Sequence, residues 1–377
     1  MITKKKQLGT LIKQKVFVAM SGGVDSSVSA TLLVKAGYQV TGVFMKVWQP
    51  DFLPCNWQKE QHDAMRVAAL LGIPLLTWDF EKEYKEGVAD YMIREYREGR
   101  TPNPDVMCNK EIKFGVFFDR AMSMGADFVA TGHYAQIKKM RKQENNKTRT
   151  QYNAPSLLLR GVDIAKDQSY FLWTLGQKQL PKTLFPIGGY KKSQVRVLAK
   201  KFKLPVAEKK DSQGLCFVGK LDMKDFLAHF IEKKEGVVIN ENGEVIGTHR
   251  GAYFYTLGER HDFTITKKLP NDLPYYVVSK DIKKNIICVT HKKNKKTKKQ
   301  KNKKIVEQVN FCVGFVPDIT KKYIAQIRYH GESYRCSIIS CNDSRAVLCF
   351  IKPIIVASGQ SIVLYQENEC VGGGVVE

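Results

Sequence analysis

The stretch KVFVAMSGGVDSS, residues 15–27, decides how the rest of the chain is read. Val16, Phe17, Val18 and Ala19 form an unbroken apolar run, which predicts a strand buried on both faces in a parallel sheet. The following VSATLLVKAGYQ spaces its apolar residues as a helix does, with Gly37 as the stop. Between strand and helix lies Ser21-Gly22-Gly23-Val24-Asp25-Ser26-Ser27. A glycine pair lets the backbone approach a ligand closely, and the helix start behind it offers free N–H groups and a positive dipole end. The place suits phosphate. Ala19 and Met20, together with these seven residues, are candidate nucleotide-binding positions; the serines add hydroxyl donors, and Asp25 could hold Mg²⁺. No lysine follows the glycines and the spacing is short, so this is not the GxxxxGK[ST] loop.

The loop resembles the SGGxDS pyrophosphatase loop of the ATP pyrophosphatase superfamily, whose members cleave ATP to AMP and pyrophosphate while adenylating a substrate oxygen. A serine-rich helix cap is the plainer alternative. All seven positions fit in the required strand–loop–helix setting, which favours the phosphate loop.

The chain has 377 residues, enough for two or three domains. Its 61 basic residues against 37 acidic ones leave a formal charge of +24, which points to a polyanionic partner. Nucleic acid fits better than a membrane, because no run of about 18 apolar residues exists. The N-terminus lacks a signal-peptide core. Nine cysteines contain no C-x-x-C spacing, so a zinc ribbon is not expected and no metal-ligating set is assigned. Their odd number and the missing secretion signal favour reduced thiols in a cytoplasm. Most lie among apolar neighbours and read as small core residues.

Further along, GVFMKVW at 42–48 is a second strand; Met45 at its end is placed to meet an adenine, or is simply core. Residues 60–80 read as helix, Gly72 stop and strand, and 83–100 as another amphipathic helix. This βαβαβα order predicts a doubly wound parallel sheet. TPNPDVMCNKEIKFG, residues 101–115, reads as a Pro-enforced extended loop with a helix from Glu111. Cys108, just ahead of that helix and near Lys110 and Lys113, is expected to ionise easily. GADFVATGHYAQI at 125–137 reads as one strand ending in Gly132-His133, followed by a basic surface loop or hairpin extension. A second notable cysteine, Cys216, sits in the polar loop Asp211–Phe217. From Leu221 a helix leads into alternating strands around the turn Asn242-Gly243, a hairpin signal. Residues 291–304 carry nine lysines and no acid; they act either as a tolerated linker or as an electrostatic clamp on RNA. The last segment reads as a small β-barrel.

The segments SGGVDSS, GVFMKVW, GRTPNPDVMCNKEIKFG, ATGHYA, KDQSYFLW and DSQGLCFVG occur in that order, and GEVIGTHRGAYFYTLGER, YYVVSKD, AQIRYHG and a terminal GGGVV follow. Together they resemble the tRNA-specific 2-thiouridylase family over nearly the full length. The family usually has a glycine-rich loop after TLG; here residues 258–272 read GERHDFTITKKLPND.

The resemblance implies an adenine nucleotide alpha hydrolase-like α/β domain over 1–220. A small β domain over 221–290, a Lys-rich linker over 291–304 and a β-barrel over 305–377 would follow. It implies that ATP adenylates the C2 oxygen of a wobble uridine in tRNA, with Mg²⁺ in attendance. Sulfur would come from a persulfide on Cys216, loaded by a sulfur-relay protein or cysteine desulfurase. Cys108 would be the nucleophile, attacking either that persulfide or C2 itself, and both routes end in a transient Cys108–Cys216 disulfide. Asn103, Pro104 and Asp105 would hold the target base, with Asp105 also moving a proton. Gly132 would border ATP. His133, Lys166, Asp167, Gln168, Arg328, Tyr329 and Gln360 would touch tRNA. Two other readings stay open here. A different adenylating relative, such as a lysine-adding tRNA ligase or an amidotransferase synthetase, leaves both loop cysteines unexplained or lacks its ammonia source. An RNA-binding protein that merely holds ATP would release no AMP.

Overall fold

The computed structural model describes residues 13–53, 57–140, 155–211, 223–266, 273–291 and 302–377. Cys216, residues 292–301 of the lysine run and residues 267–272 of the atypical loop lie outside the described residues.

The first strand, β1 (Lys15–Ala19), leads through the glycine loop into α1 (Val24–Lys35). β2 (Gln39–Lys46), β3 (Leu75–Asp79) and β4 (Phe128–Ala130) follow. The hairpin β5 (Ala135–Lys139) and β6 (Ser156–Arg160) precedes the short β7 (Thr183–Leu184). Five of these strands make an all-parallel sheet in the order β3-β2-β1-β4-β7. The order reverses between β1 and β4, and such a reversal opens a crevice at the carboxyl ends of the two strands. Residues 125–137, expected as one strand, are two. β4 ends at Ala130, and β5 joins another sheet, because Gly132 packs flat on the start of α1 and turns the chain away.

A second sheet follows in the order β10-β9-β8-β12-β11. Its strands are β8 (Gly236–Ile239), β9 (Val245–His249), β10 (Phe263–Ile265), β11 (Tyr276–Asp281) and β12 (Ile286–Thr290). The expected hairpin joins β8 to β9, with Gly243 at φ +86°. The third sheet closes on itself: β13 (Lys303–Phe311), β16 (Arg345–Phe350), β15 (Ser333–Cys341), β14 (Tyr323–Gln326), β17 (Ser361–Gln366) and β18 (Glu369–Val376) form a six-stranded barrel, because β13 also pairs with β18. Lys303 and Lys304, expected in the linker, already pair with β16.

The three units are packed into one another. Met92, Ile93 and Tyr96 share a buried cluster with Phe226, Phe254 and Ile287 of the second unit. The β5–β6 hairpin extends the barrel sheet through Leu158 and Leu159, paired with Cys370 and Glu369. Tyr170, Leu172 and Trp173 bury themselves with Val363 and Tyr365 below it. Each such fully buried side chain stabilises the seam by roughly 1.5–3 kcal/mol. Among the described residues no helix is long and apolar enough to cross a membrane.

Candidate active site

The glycine loop holds its shape by its own hydrogen bonds. Gly22 takes φ +67°, and a Cβ there would lie 2.2 Å from the Glu60 carbonyl oxygen. Any side chain would therefore push the loop off the neighbouring helix, Trp57–Leu71. Ser26 and Ser27, expected as phosphate donors, are buried and turned inward: both hydroxyls donate to the Gly23 carbonyl, at 3.2 and 2.7 Å. Ser21 stays exposed. Gly23 caps α1, and among the described residues no side chain accepts from the amides at that helix start. The residues present fit a nucleotide phosphate. At Gly132 a Cβ would meet the Ser26 amide nitrogen at 2.7 Å, so this glycine serves the packing of β4's exit against the loop. Met20 turns into one buried cluster, while Ala19 and Met45 join another.

Around the loop stands a ring of charge. Both Asp25 carboxylate oxygens accept from Lys192 Nζ at 2.8 Å, and Oδ1 also accepts from the Tyr134 hydroxyl at 2.8 Å. Asp25 is thus a partner of an ammonium group. Lys192 also bridges to Asp211, 2.8 Å away, which further pairs with Arg196 and Lys166. Burial alone would raise the Asp211 carboxyl, but the hydrogen bonds and charges of Lys192 and Lys166 bring it down to about 2. Lys209 Nζ reaches the Gly22 carbonyl at 3.0 Å and Asp63 at 2.8 Å.

Residues 101–108 form a second centre. The helix starts at Pro104, seven residues before Glu111: Asn103 caps it by accepting from Val106 N at 3.2 Å, Pro104 sits at the first position and Asp105 in the first turn. A π-helical segment, Cys108–Val116, continues it. Cys108 is consequently inside a helix and fully buried, in the cluster that covers Ala19 and Met45 at the carboxyl ends of β1 and β2. The thiol expected in a loop ahead of the helix lies instead within it, without exposed surface.

Three units converge on this helix start. Thr101 N donates to Ser358 O at 2.8 Å, and Gly359 lies so near the Thr101 backbone that a Cβ would stand 2.9 Å away. The Thr101 hydroxyl lies 3.2 Å from that of Thr256 in the second unit. Arg328 is exposed and donates to Leu257 O at 2.7 Å. The Tyr329 ring packs on Phe171 at 4.5 Å and on His330 at 3.9 Å. Burial, with the charges of Asp167 and Asp105, pushes the Tyr329 phenol up to about 12.

Of the residues expected to touch tRNA, Lys166, Gln168, Arg328, Tyr329 and Gln360 are at least partly exposed. Asp167 is not: it is buried, and its oxygens accept from Arg160, the Gly161 and Ser169 amides and the Ser169 hydroxyl. Gln168 uses its carbonyl oxygen on Tyr134 N. His133 is buried between Phe114 and Phe185 with Nδ1 2.7 Å from the Thr131 hydroxyl; burial, then the Lys113 charge, hold it well below its usual range and therefore neutral. The Gln360 side-chain oxygen is buried without a hydrogen-bond partner among the described residues. Asp167 and His133 thus shape the surface from beneath, while Gln168 stays partly exposed. Sequence reading missed Lys192, Lys209 and Tyr134. One signal was present: Lys191 and Lys192 open a helix, where its dipole disfavours cations, so a compensating partner was required.

Three family models match in succession: the tRNA methyl transferase HUP domain over residues 14–220, the tRNA methyl transferase PRC-barrel domain over 224–291 and the aminomethyltransferase beta-barrel domain over 301–376. Similar curated proteins include the tRNA-specific 2-thiouridylase MnmA of Listeria monocytogenes serotype 4b, 42% identical over 366 residues, covering 96% of this chain and 94% of that protein. The protein of the same name from Streptococcus equi subsp. zooepidemicus is 41% identical over 97% of this chain and 95% of its own. That from Enterococcus faecalis is 41% identical over 97% and 96%.

Proposed function

The chain belongs to the tRNA-specific 2-thiouridylase family, whose members are tRNA sulfurtransferases, and on that premise we propose how its two centres divide the reaction. ATP binds at the glycine loop, in the crevice between β1 and β4. The target base enters between the Asn103 helix start and the Arg328–Tyr329 edge of the barrel. Units 1–220, 221–290 and 303–377 act as catalytic domain, spacer and RNA-holding barrel, joined through 291–302.

Uridine C2 holds its oxygen tightly. Attack of that oxygen on the α-phosphorus expels pyrophosphate and turns the oxygen into part of an AMP leaving group. The loop amides orient the phosphates and stabilise the charge that develops on them. Asp105 is the group that takes or relays the base proton. Sulfur arrives as a persulfide on Cys216, delivered by a relay protein or cysteine desulfurase. The Cys108 thiolate attacks the inner sulfur of Cys216; a disulfide forms and hydrosulfide leaves. Hydrosulfide adds to C2 and AMP departs, leaving 2-thiouridine. A reductant then reopens the disulfide. A reducing cytoplasm suits that last step.

The observation that supports this reading is that Ala19, Met45 and Cys108 belong to one buried cluster at the carboxyl ends of β1 and β2. The test incubates the protein with tRNA and ATP. Pyrophosphate release should depend on tRNA, and 2-thiouridine should appear once a persulfide donor is supplied. Tight tRNA binding with no pyrophosphate would instead mark an RNA-binding protein that only holds ATP.

A further inference from the structure

We propose that Lys192 and Lys209 are the polyphosphate-binding cations of this site, replacing the lysine that the glycine loop itself lacks. The inference rests on the reading that the chain uses ATP. In sequence the two residues stand 167 and 187 positions from their partners in the loop, Asp25 and Gly22. In the fold each ammonium group is one hydrogen bond from the loop: Lys192 at Asp25 in the first turn of α1, and Lys209 at the Gly22 carbonyl.

Their surroundings set them apart from ordinary surface lysines. Lys192 is 14% exposed and opens its helix, where the dipole disfavours it. Two carboxylates hold it there, Asp25 and Asp211. Lys209 is similarly held by Asp63, whose side chain is 15% exposed. Such fixed, half-desolvated ammonium groups are pre-oriented, and an incoming phosphate gains charge-assisted bonds without first ordering two flexible side chains. A triphosphate adds more negative charge than a monophosphate. The β- and γ-phosphates, which leave as pyrophosphate, would draw on these cations most. Lys192 and Lys209 would thus stabilise the leaving group, while the loop amides orient the α-phosphate.

The experiment measures equilibrium binding of three probes to the full chain: an ATP analogue with a methylene between its α- and β-phosphorus, pyrophosphate, and AMP. The variants are Lys209→Met and Lys192→Met, with Lys209→Arg and Lys192→Arg as charge-keeping partners. Each Met variant should weaken the analogue and pyrophosphate about tenfold or more and leave AMP within about twofold. The Arg variants should recover most of the loss. Equal weakening of AMP and the analogue would reveal a structural role, and unchanged analogue binding would show that the lysines do not meet the phosphates; either overturns the proposal. If Lys192→Met fails to fold because Asp25 and Asp211 lose their shared cation, Lys209→Met decides. Absence of analogue binding by the unmodified protein would bring down the ATP reading itself, before any variant is made.

Discussion

Residues 20–27 and residues 101–108 both serve the carboxyl edge of the parallel sheet. The first segment closes on itself. Its serines bind its own carbonyl, its glycines turn it, and the helix it caps follows at once. The second closes on other domains. Its helix start is local, but Thr101 is tied to Ser358 and lies beside Thr256, and the surface beside Asn103 is finished by Arg328 and Tyr329. The nucleotide site proposed here lies within residues 14–220 and should work whether or not the barrel is properly seated. A base site shared among three units should not. ATP binding and base capture should therefore fail separately.

The sharpest break comes from two variants assayed side by side. Asp25→Ala removes the carboxylate that holds Lys192 and should lower pyrophosphate release by on the order of a hundredfold or more, with tRNA affinity nearly intact. Cys108→Ser should do the reverse: tRNA-dependent pyrophosphate release persists, Cys216 still accepts sulfur, and 2-thiouridine disappears. Normal thiolation by Cys108→Ser would end the two-cysteine mechanism.

A smaller effect probes the seam. Arg160 pairs with buried Asp167, reaches Gln326 and lies over the Tyr365 ring at 3.5 Å, joining the β5–β6 hairpin to the barrel. Arg160→Ala leaves the Asp167 charge buried without its cation, which costs about 3 kcal/mol. Melting should drop accordingly, and tRNA binding should weaken while ATP binding holds. Equal loss of both would mean the two centres are not independent.

The smallest effect is a pH dependence. His133 is kept neutral by burial, so the unfolded chain takes up its proton first as pH falls. Its contribution is fully present above the ordinary value of 6.5 and is lost progressively as the pH drops from there toward the lower folded-state value. His133→Gln should flatten the stability curve in that window. An unchanged curve, measured by denaturant titration from pH 7 downward, would place the acid sensitivity elsewhere.

Legibility followed the same division. The strand, the loop and α1 could be read because the apolar run, the glycines and the helical spacing are all local constraints acting within a few residues. The Asn103 cap was also local, yet the two prolines drew the reading toward an extended loop. Asn-Pro-Asp is equally a helix start, with cap, first-position proline and acidic first turn. The strand expected over 125–137 failed for a different reason. Nothing near Gly132 announces that its backbone must fit against Ser26, more than a hundred residues away in sequence.

By itself, then, the sequence determined the parallel α/β domain, the strand–glycine loop–helix unit, the central hairpin and the family, because each rests on short-range periodicity, on turn chemistry or on motifs that recur in order. Only the tertiary structure decided that Cys108 is buried, that Asp167 and His133 face inward, that β13 and β18 close the barrel, and that Lys192 and Lys209 flank the loop. Those outcomes depend on which distant surfaces pack together and on which charges must then find partners. Long-range packing of that kind leaves little trace in the spacing of residues along the chain.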